Sequence, residues 1–578
     1  MFIAYGPLDG VATCLVSHVR WMSSVRVRFA PSPTGYMHIG GLRTALVNKL
    51  FAVKQNGRFI LRIEDTDKTR YHHGSYDDIM RSLQWATLLP DEGPAVGGDC
   101  GPYIQSERKD LYSEVANQLI KQGLAYRCFC SVERLEILRN EQRRQGESPR
   151  YDNRCRYLSE TVVAQRLAQN QPHVVRFKVP HTKMPVHDLV FGTVNFDTQD
   201  SEGDFIILKS DHMPVYHLAN VVDDHYMNIT HVIRGAEWLS STPKHLLLYD
   251  ALKWTPPHFA HLPLLLSSSG GKLSKRSPEF AEIGHVRNLI AAGYVPSAVL
   301  TWLSSVGGTR SESKDENTPD IDEKLHLDSN GTFGSWSPNM QFEDLVSRFN
   351  FDNISRQSVK ISADLLRICG RVHFEKLLAD ASIYCSSHSA HINYRSPALL
   401  TELRAYLTSA LPGAKFNERP TVEDDVRMIR QLQSLSGRVS CYSDLTDPIL
   451  GFSSIWQPVN PSVCLQQFEK VWSAASPDKV LRFLSLSEEK IQELDTNAEE
   501  SGLARKLKNC LKQCSHDAGV QHATAMHLLR VCLMGQEIGP PVVDLIVLLS
   551  PKTAAERIGN IRNYLRLSAV PAHSVTHS

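Results

Sequence analysis

Two short stretches hold the residues best suited to chemistry. In "RFAPSPTGYMHIGG", Arg28 to Gly41, two prolines and three glycines surround His38 just before a helical pattern begins. Exposed backbone N–H groups and the helix dipole make such a turn a natural anion site. Gly35, Gly40 and Gly41 would admit a ligand, and Pro31 and Pro33 would stiffen the path. His38 stands where it could donate to a phosphate oxygen, although an ordinary strand-to-helix turn could carry the same residues. In "KLSKR", Lys272 to Arg276, three cations follow a Ser/Gly stretch. Lysines on a flexible loop suit a transition state that builds negative charge on phosphate oxygens; the plain alternative is a solvated charge run. Cys128, Cys130 and Cys155 form the one grouping among twelve cysteines. The scatter of the rest fits reduced thiols in an intracellular enzyme.

These residues need elements to position them. "VRVRFA" (25–30) alternates apolar and basic and reads as a strand. From Leu42 the apolar residues follow helical spacing until Asn56-Gly57, and "RFILRI" (58–63) reads as a second strand. Strand, helix, strand in about forty residues is a βαβ unit with a parallel sheet, whose ligands sit beyond the carboxyl ends of the strands. Residues 107–125 are helical in pattern. The 126–215 segment changes character and reads as an insertion. "YHLANVVDD" and "ITHVIRGAEW" read as buried strands. Ser241-Thr242-Pro243 offers a helix cap before "KHLLLYDALKW". Beyond "GGKLSKR" the pattern is helical, apart from a polar, acidic stretch at 311–335 expected to be a mobile loop.

At 578 residues the chain needs three or four domains. Its 42% apolar, 22% charged and 8% aromatic content and net charge of +1 are those of an ordinary globular protein, without a global basic bias. No apolar run approaches the length of a membrane span; "VVDLIVLL" reads as a core helix. The first 24 residues are acid-poor but not Arg-rich, a weak targeting signal.

Taken together, "PSPTGYMHIGG" and "KLSKR" resemble the HIGH and KMSKS motifs of class I aminoacyl-tRNA synthetases. "RFAPSPTG" with "LRIEDTD" resembles glutamyl-tRNA synthetase. "RYDNRCR", "YHLANVVDDHYMNITHVIRGAEWLSSTPKHLLLY" and "HFAHLPLLL" look like its mitochondrial form. The resemblance implies a multidomain α/β plus all-α fold: a Rossmann-like parallel-sheet catalytic domain, an inserted α+β acceptor-binding domain, and helical stem-contact and anticodon-binding domains. On this chain the expected boundaries are a leader at 1–24, catalytic halves at 25–125 and 216–270, the insertion at 126–215, the KLSKR loop and stem-contact domain at 271–385, and the anticodon region at 386–578.

The resemblance also implies roles. Arg28, Phe29, Ala30, Ser32, Glu64, Tyr216, His217, Leu218, Ala219, Asn220, Arg234 and Trp238 match the glutamate pocket. Within it Arg28 pairs the substrate side-chain carboxylate, Glu64 receives the α-ammonium and Trp238 forms a wall. His38, Gly40, Glu237, Lys272, Leu273, Ser274, Lys275 and Arg276 match the ATP positions, with His38, Lys272 and Lys275 as the catalytic set. The substrate carboxylate is already a nucleophile, so catalysis would rest on positioning and charge stabilisation. The implied reaction makes glutamyl-adenylate and pyrophosphate from glutamate and ATP, then charges tRNA(Glu). Mg²⁺ is implied by the pyrophosphate, and charging of tRNA(Gln) is left open. A monomer in the mitochondrial matrix, without membrane contact, is expected.

Cys128, Cys130, Cys155 and Tyr157 resemble a zinc site found in the inserted domain of some bacterial relatives, where His usually replaces the tyrosine. A protonated phenol is a poor ligand, so a metal-free knuckle is expected, with zinc as the alternative. Glutaminyl-tRNA synthetase is disfavoured by Ser32 and Thr34, where it typically has Glu and Asn. A dinucleotide-forming nucleotidyltransferase would not need the helical half. A non-catalytic tRNA-binding paralogue is disfavoured by intact His38, Lys272 and Lys275.

Overall fold

The computed structural model describes residues 24–198, 203–267, 270–271, 278–306, 336–387, 394–435, 437–447, 452–462, 464, 468, 476–494, 500–537 and 539–568. The expected leader, the KLSKR loop and the expected mobile loop therefore lie outside the described residues, except Ser24, Gly270 and Gly271 at their edges.

The βαβ unit forms where the spacing predicts it. Strand β1 (Arg26–Phe29) pairs in parallel with β2 (Arg58–Leu61), from Arg26↔Arg58 to Phe29↔Leu61. Helix α1 (Ile39–Lys54) connects them and buries Leu42, Ala45, Leu46 and Leu50. Its exit is sharply constrained. Asn56 turns through φ 49°, and Gly57 N–H donates to Ala52 O at 2.8 Å. A Cβ on Gly57 would collide with Val25 O, the acceptor of Arg58 N–H. Helix α2 (Ser75–Trp85) braces the turn before α1, because buried Asp78 accepts from Met37 N–H at 2.7 Å.

Helix α3 (Lys109–Lys121) leads into the insertion. There β3 (Ala125–Cys128) is followed by the polar helices α4 (Val132–Arg144) and α5 (Glu160–Ala168), then by β4 (Val174–Phe177), β5 (Lys183–Asp188), β6 (Gly192–Asp197) and β7 (Ile206–Leu208). The antiparallel order is β3-β4-β7. Val175, Phe177 and Ile207 from this sheet share one apolar core with Tyr112 and Leu119 of α3.

"YHLANVVDD" forms a helix, α6 (Tyr216–Tyr226), not the strand expected from its apolar run. All seven residues from Leu218 to Asp224 are buried, so no apolar stripe exists to reveal a helical period. "ITHVIRG" does supply a strand, β8 (His231–Gly235). Ser241 does not cap α7 (Thr242–Leu252); the chain enters from a 3₁₀ turn at Ala236–Ser241, leaving Ser241 in a helical conformation without a side-chain cap bond. Pro243 does sit in the first turn. Strand β9 (His258–Leu262) pairs in parallel with β8 through five residues, and β5 touches β9 at Asp188↔Phe259. The second sheet reads β6-β5-β9-β8 and abuts β1 through Thr230 N–H to Arg26 O at 2.9 Å.

The short β10 (Leu265–Leu266) pairs with β11 (Val359–Lys360), and the rest of the chain is helical among the described residues. One apolar core runs from β1 and α1 through the helices Pro296–Ser305, Ala363–Ser387 and Ala398–Ala410 to Trp456. A second core, from Cys464 to Leu565, gathers the last helices, including Val542–Leu549.

Gly57→Ala should destabilise the protein by about 1–3 kcal/mol through overpacking at the α1 exit, whereas Gly35→Ala, whose Cβ would meet nothing within 4 Å, should be nearly neutral. Thermal unfolding of both variants checks this; equal midpoints would refute the constraint.

Candidate active site

The His38 turn is built from both sides. His38 is the N-cap of α1, and its Nδ1 accepts from Gly41 N–H at 3.1 Å. In the neutral ring this places the proton on Nε2, the nitrogen that could donate. A Cβ at Gly40 would crowd the His38 ring at 3.0 Å and push it aside. Phe29 is buried beneath the turn. Ala30 is half-buried at the strand end, while Ser32 is exposed.

The chain on either side of the lysine loop is also anchored near this turn. Upstream, Leu265 of β10 packs near Gly40, and Ser267 N–H donates to Gly271 O at 2.8 Å. Downstream, helix α8 (Pro278–Ile283) ends at Gly284, whose carbonyl accepts from Ile39 N–H at 3.0 Å; Val286 N–H donates to Met37 O at 3.0 Å. Lys272, Leu273, Ser274, Lys275 and Arg276 lie outside the described residues, but Leu265 before them and Gly284 and Val286 after them lie against the His38 turn.

The amino-acid side of the site is a dense buried network. Arg28 Nε donates to Asp224 Oδ1 at 3.1 Å. Arg62 donates to the same oxygen at 2.7 Å and to Glu64 Oε1 at 3.1 Å. Asp223 accepts from Arg108 Nε at 2.7 Å, Gln105 at 2.8 Å and Tyr112 OH at 2.9 Å. With its amide assigned by the network, Asn220 donates to Asp224 Oδ2 at 3.1 Å and accepts from Arg62 Nη2 at 3.2 Å. Thus Arg28, Arg62 and Arg108 are balanced by Glu64, Asp223 and Asp224. Burial pushes the Asp224 carboxyl up, but Arg28 and Arg62 outweigh it and hold the group below its ordinary range. Burial dominates at Glu64 and raises it.

Arg234 is different. It is 4% exposed, yet its hydrogen bonds run to neutral oxygens and imidazole nitrogens: Tyr216 OH at 3.0 Å, Thr242 Oγ1 at 2.9 Å, Trp238 O at 3.3 Å, His261 Nε2 at 3.1 Å and His245 Nδ1 at 3.4 Å. No carboxylate among the described residues pairs with it. The Tyr216 and Trp238 rings lie 4.2 Å apart between centroids, tilted by 37°, and His217 Nδ1 lies 3.2 Å from His245 Nε2. Burial, reinforced by Arg234, lowers His217 to about 4. Leu218 and Ala219 do not join this group through their side chains, which are fully buried in the α6 core. Glu237 folds back over Gly235, where any Cβ would strike its carboxylate. Asp188, Asp224, Gly235, His245 and His261 join this network without any local sequence signal for that place.

In the insertion, Tyr157 is 86% exposed and is not part of the cysteine cluster. Tyr151 takes that place: its hydroxyl lies 3.3 Å from Cys128 Sγ and 3.6 Å from Cys130 Sγ, and accepts from Cys155 N–H at 3.0 Å. The three sulfurs lie within 4.8 Å of one another. Hydrogen bonding from Cys155 favours the Cys128 thiolate, pulling it down to about 4, while Cys155 is raised. Arg176 lies 3.8 Å from the Tyr151 ring centroid.

Asp224→Ala would leave Arg28 and Arg62 buried without their shared partner. A loss of about 3–5 kcal/mol is expected; denaturant unfolding followed by tryptophan fluorescence checks it, and a loss below about 1 kcal/mol would overturn the structural weight given to this residue.

Comparison with known proteins agrees with this fold. Residues 24–322 match the family model "tRNA synthetases class I (E and Q), catalytic domain", and residues 398–562 match "Anticodon binding domain". The glutamate-tRNA ligase of Chloroherpeton thalassium is 33% identical over 542 residues, covering 93% of this chain and 97% of its own. That of Finegoldia magna is 32% identical over 553 residues, covering 94% and 100%. The crystal structure of a glutamate tRNA ligase from Elizabethkingia meningosepticum, in complex with its amino acid, superposes with a TM-score of 0.72 at 28% identity, covering 94% of this chain and all of that one. A βαβ sheet with its His38 turn, a helical C-terminal region and this near-full-length similarity have one common reading: the chain belongs to the glutamate-tRNA ligase family of class I aminoacyl-tRNA synthetases.

Proposed function

We propose that this protein activates glutamate with ATP, releases pyrophosphate, and transfers the glutamyl group to the 3′ end of tRNA(Glu). The observation that carries the reading is Arg234: a buried guanidinium held entirely by neutral partners beside the Tyr216–Trp238 wall, with the Glu64 carboxylate acting on the same Tyr216. Such a group keeps its charge for a substrate carboxylate. Glu64 Oε1 is engaged by Arg62, which leaves Oε2 for an ammonium. Arg28, turned by Asp224 through Nε, presents its terminal nitrogens.

On the nucleotide side, His38 would donate through Nε2, and His38 and Lys275, with Lys272, would stabilise charge developing at the α-phosphate. Glu237 would hold the ribose or base edge of ATP. Mg²⁺ commonly keeps several waters and is held through substrate phosphates, so it would enter with ATP. It would balance the pyrophosphate charge. The matrix location suggested by the resemblance to the mitochondrial form belongs to the same proposal, and so does the possible acceptance of tRNA(Gln).

The cysteine cluster with Tyr151 also supports a second, local reading, the zinc alternative. Three sulfurs lie within 4.8 Å of one another and the Tyr151 oxygen lies beside two of them, the number of ligands a structural zinc site takes; burial and the cysteine hydrogen bonds push the phenol up, so the thiolates would carry most of the binding. Cys128, Cys130, Cys155 and Tyr151 would hold the ion in a structural role.

Purified protein with tRNA(Glu) should show ATP–pyrophosphate exchange dependent on glutamate; exchange with glutamine instead would overturn the reading. Lys275→Ala should lower kcat far more than it raises the glutamate KM. Metal analysis of protein purified without chelator should find about one zinc per chain, and less than about 0.2 equivalents would exclude the site.

A further inference from the structure

Arg234 poses a problem that its direct partners do not solve. A carboxylate placed on it would orient the guanidinium but also neutralise it and compete with the substrate. The structure orients it another way. Arg234 on β8 and His261 on β9 are register partners, so their side chains stand side by side on one face of the sheet. Arg234 Nε donates to His261 Nε2 at 3.1 Å, and His261 Nδ1 lies 2.6 Å from Asp188 Oδ2. All three are buried, with Asp188 at 6%, His261 at 0% and Arg234 at 4% exposure. The bonds are mutually consistent only for one tautomer. A carboxylate accepts, so Nδ1 must carry the proton, and Nε2 must then accept from the guanidinium. Burial, reinforced by Arg234, pushes His261 down despite the upward pull of Asp188, which agrees with a neutral ring.

Asp188 is itself firmly placed. Its Oδ1 accepts from Val190 N–H at 2.9 Å and Phe191 N–H at 2.8 Å, closing the β5–β6 turn of the insertion. Its backbone sits where β5 joins the catalytic sheet.

We propose that Asp188 and His261 form a positioning relay for Arg234, in which Asp188 fixes the His261 tautomer and His261 Nε2 aims the guanidinium at a substrate carboxylate without neutralising it. The relay rests on the proposed glutamate pocket and assigns to it two residues that do not themselves touch substrate. It also makes carboxylate reading depend on a residue of the insertion.

The test uses full-length protein in tRNA-dependent exchange, with glutamate and ATP KM measured separately. His261→Leu leaves Arg234 Nε–H without its acceptor and should raise the glutamate KM about tenfold or more, with the ATP KM changed less than about twofold. His261→Gln, whose Oε1 can accept the same bond, should recover most of that loss. Asp188→Asn, should His261→Leu fail to fold, should also raise the glutamate KM, because an amide N–H turned to Nδ1 drives the proton onto Nε2, against the Arg234 donor. A folded His261→Leu protein with unchanged glutamate KM overturns the relay, as does a His261→Gln protein no better than His261→Leu. Wild-type protein inactive with glutamate instead overturns the function on which the relay rests, so the two failures are separable.

Discussion

The site depends on a buried charge cluster centred on Asp224. One oxygen of this carboxylate holds Arg28 and Arg62 together, and Arg62 in turn holds Glu64. Burying ions is costly, and such a cluster persists only when each charge is paired and hydrogen-bonded. Here Arg28, Arg62 and Arg108 each have a carboxylate partner, although Arg62 Nε makes no hydrogen bond. Because those three are balanced, Arg234, which pairs with no carboxylate among the described residues, becomes the electrostatically distinct point beside them.

Strand ends, helix α6 and the insertion meet around that point. Arg28 and Glu64 come from adjoining parallel strand ends, Asp223 and Asp224 from α6, and Arg234 and His261 from β8 and β9. The insertion contributes at two places. Its sheet shares the core of α3 and α6, and its Asp188 reaches His261. It is therefore built into the catalytic half as well as carrying the cysteine cluster with Tyr151.

Motif residues and the parallel βαβ unit were legible because they are local. A strand period, a helical stripe and a glycine turn each lie within a few residues of one another. Helix α6 was not legible, since burial on all sides removes the stripe that marks a helix. Ser241 looked like a cap because its residue type is right, yet the preceding 3₁₀ turn sets its backbone instead. Tyr157 occupies the place of the histidine in the resembling zinc site, whereas the chain turns Tyr151 inward and leaves Tyr157 in solvent.

The sequence by itself determined the chemistry available: His38 before a helix, a basic loop, arginines and an acid at strand ends, and three grouped cysteines. It also determined that a parallel sheet would present the first of these at its carboxyl edge, because the spacing admits only a βαβ crossover. Tertiary structure alone decided which charges are paired and which remain. Arg28 and Arg234 are the same residue type at equivalent strand ends. Only folding places Asp224 on one and a neutral imidazole on the other, and that difference in partner, set by contacts between distant segments, gives the two arginines different electrostatic characters.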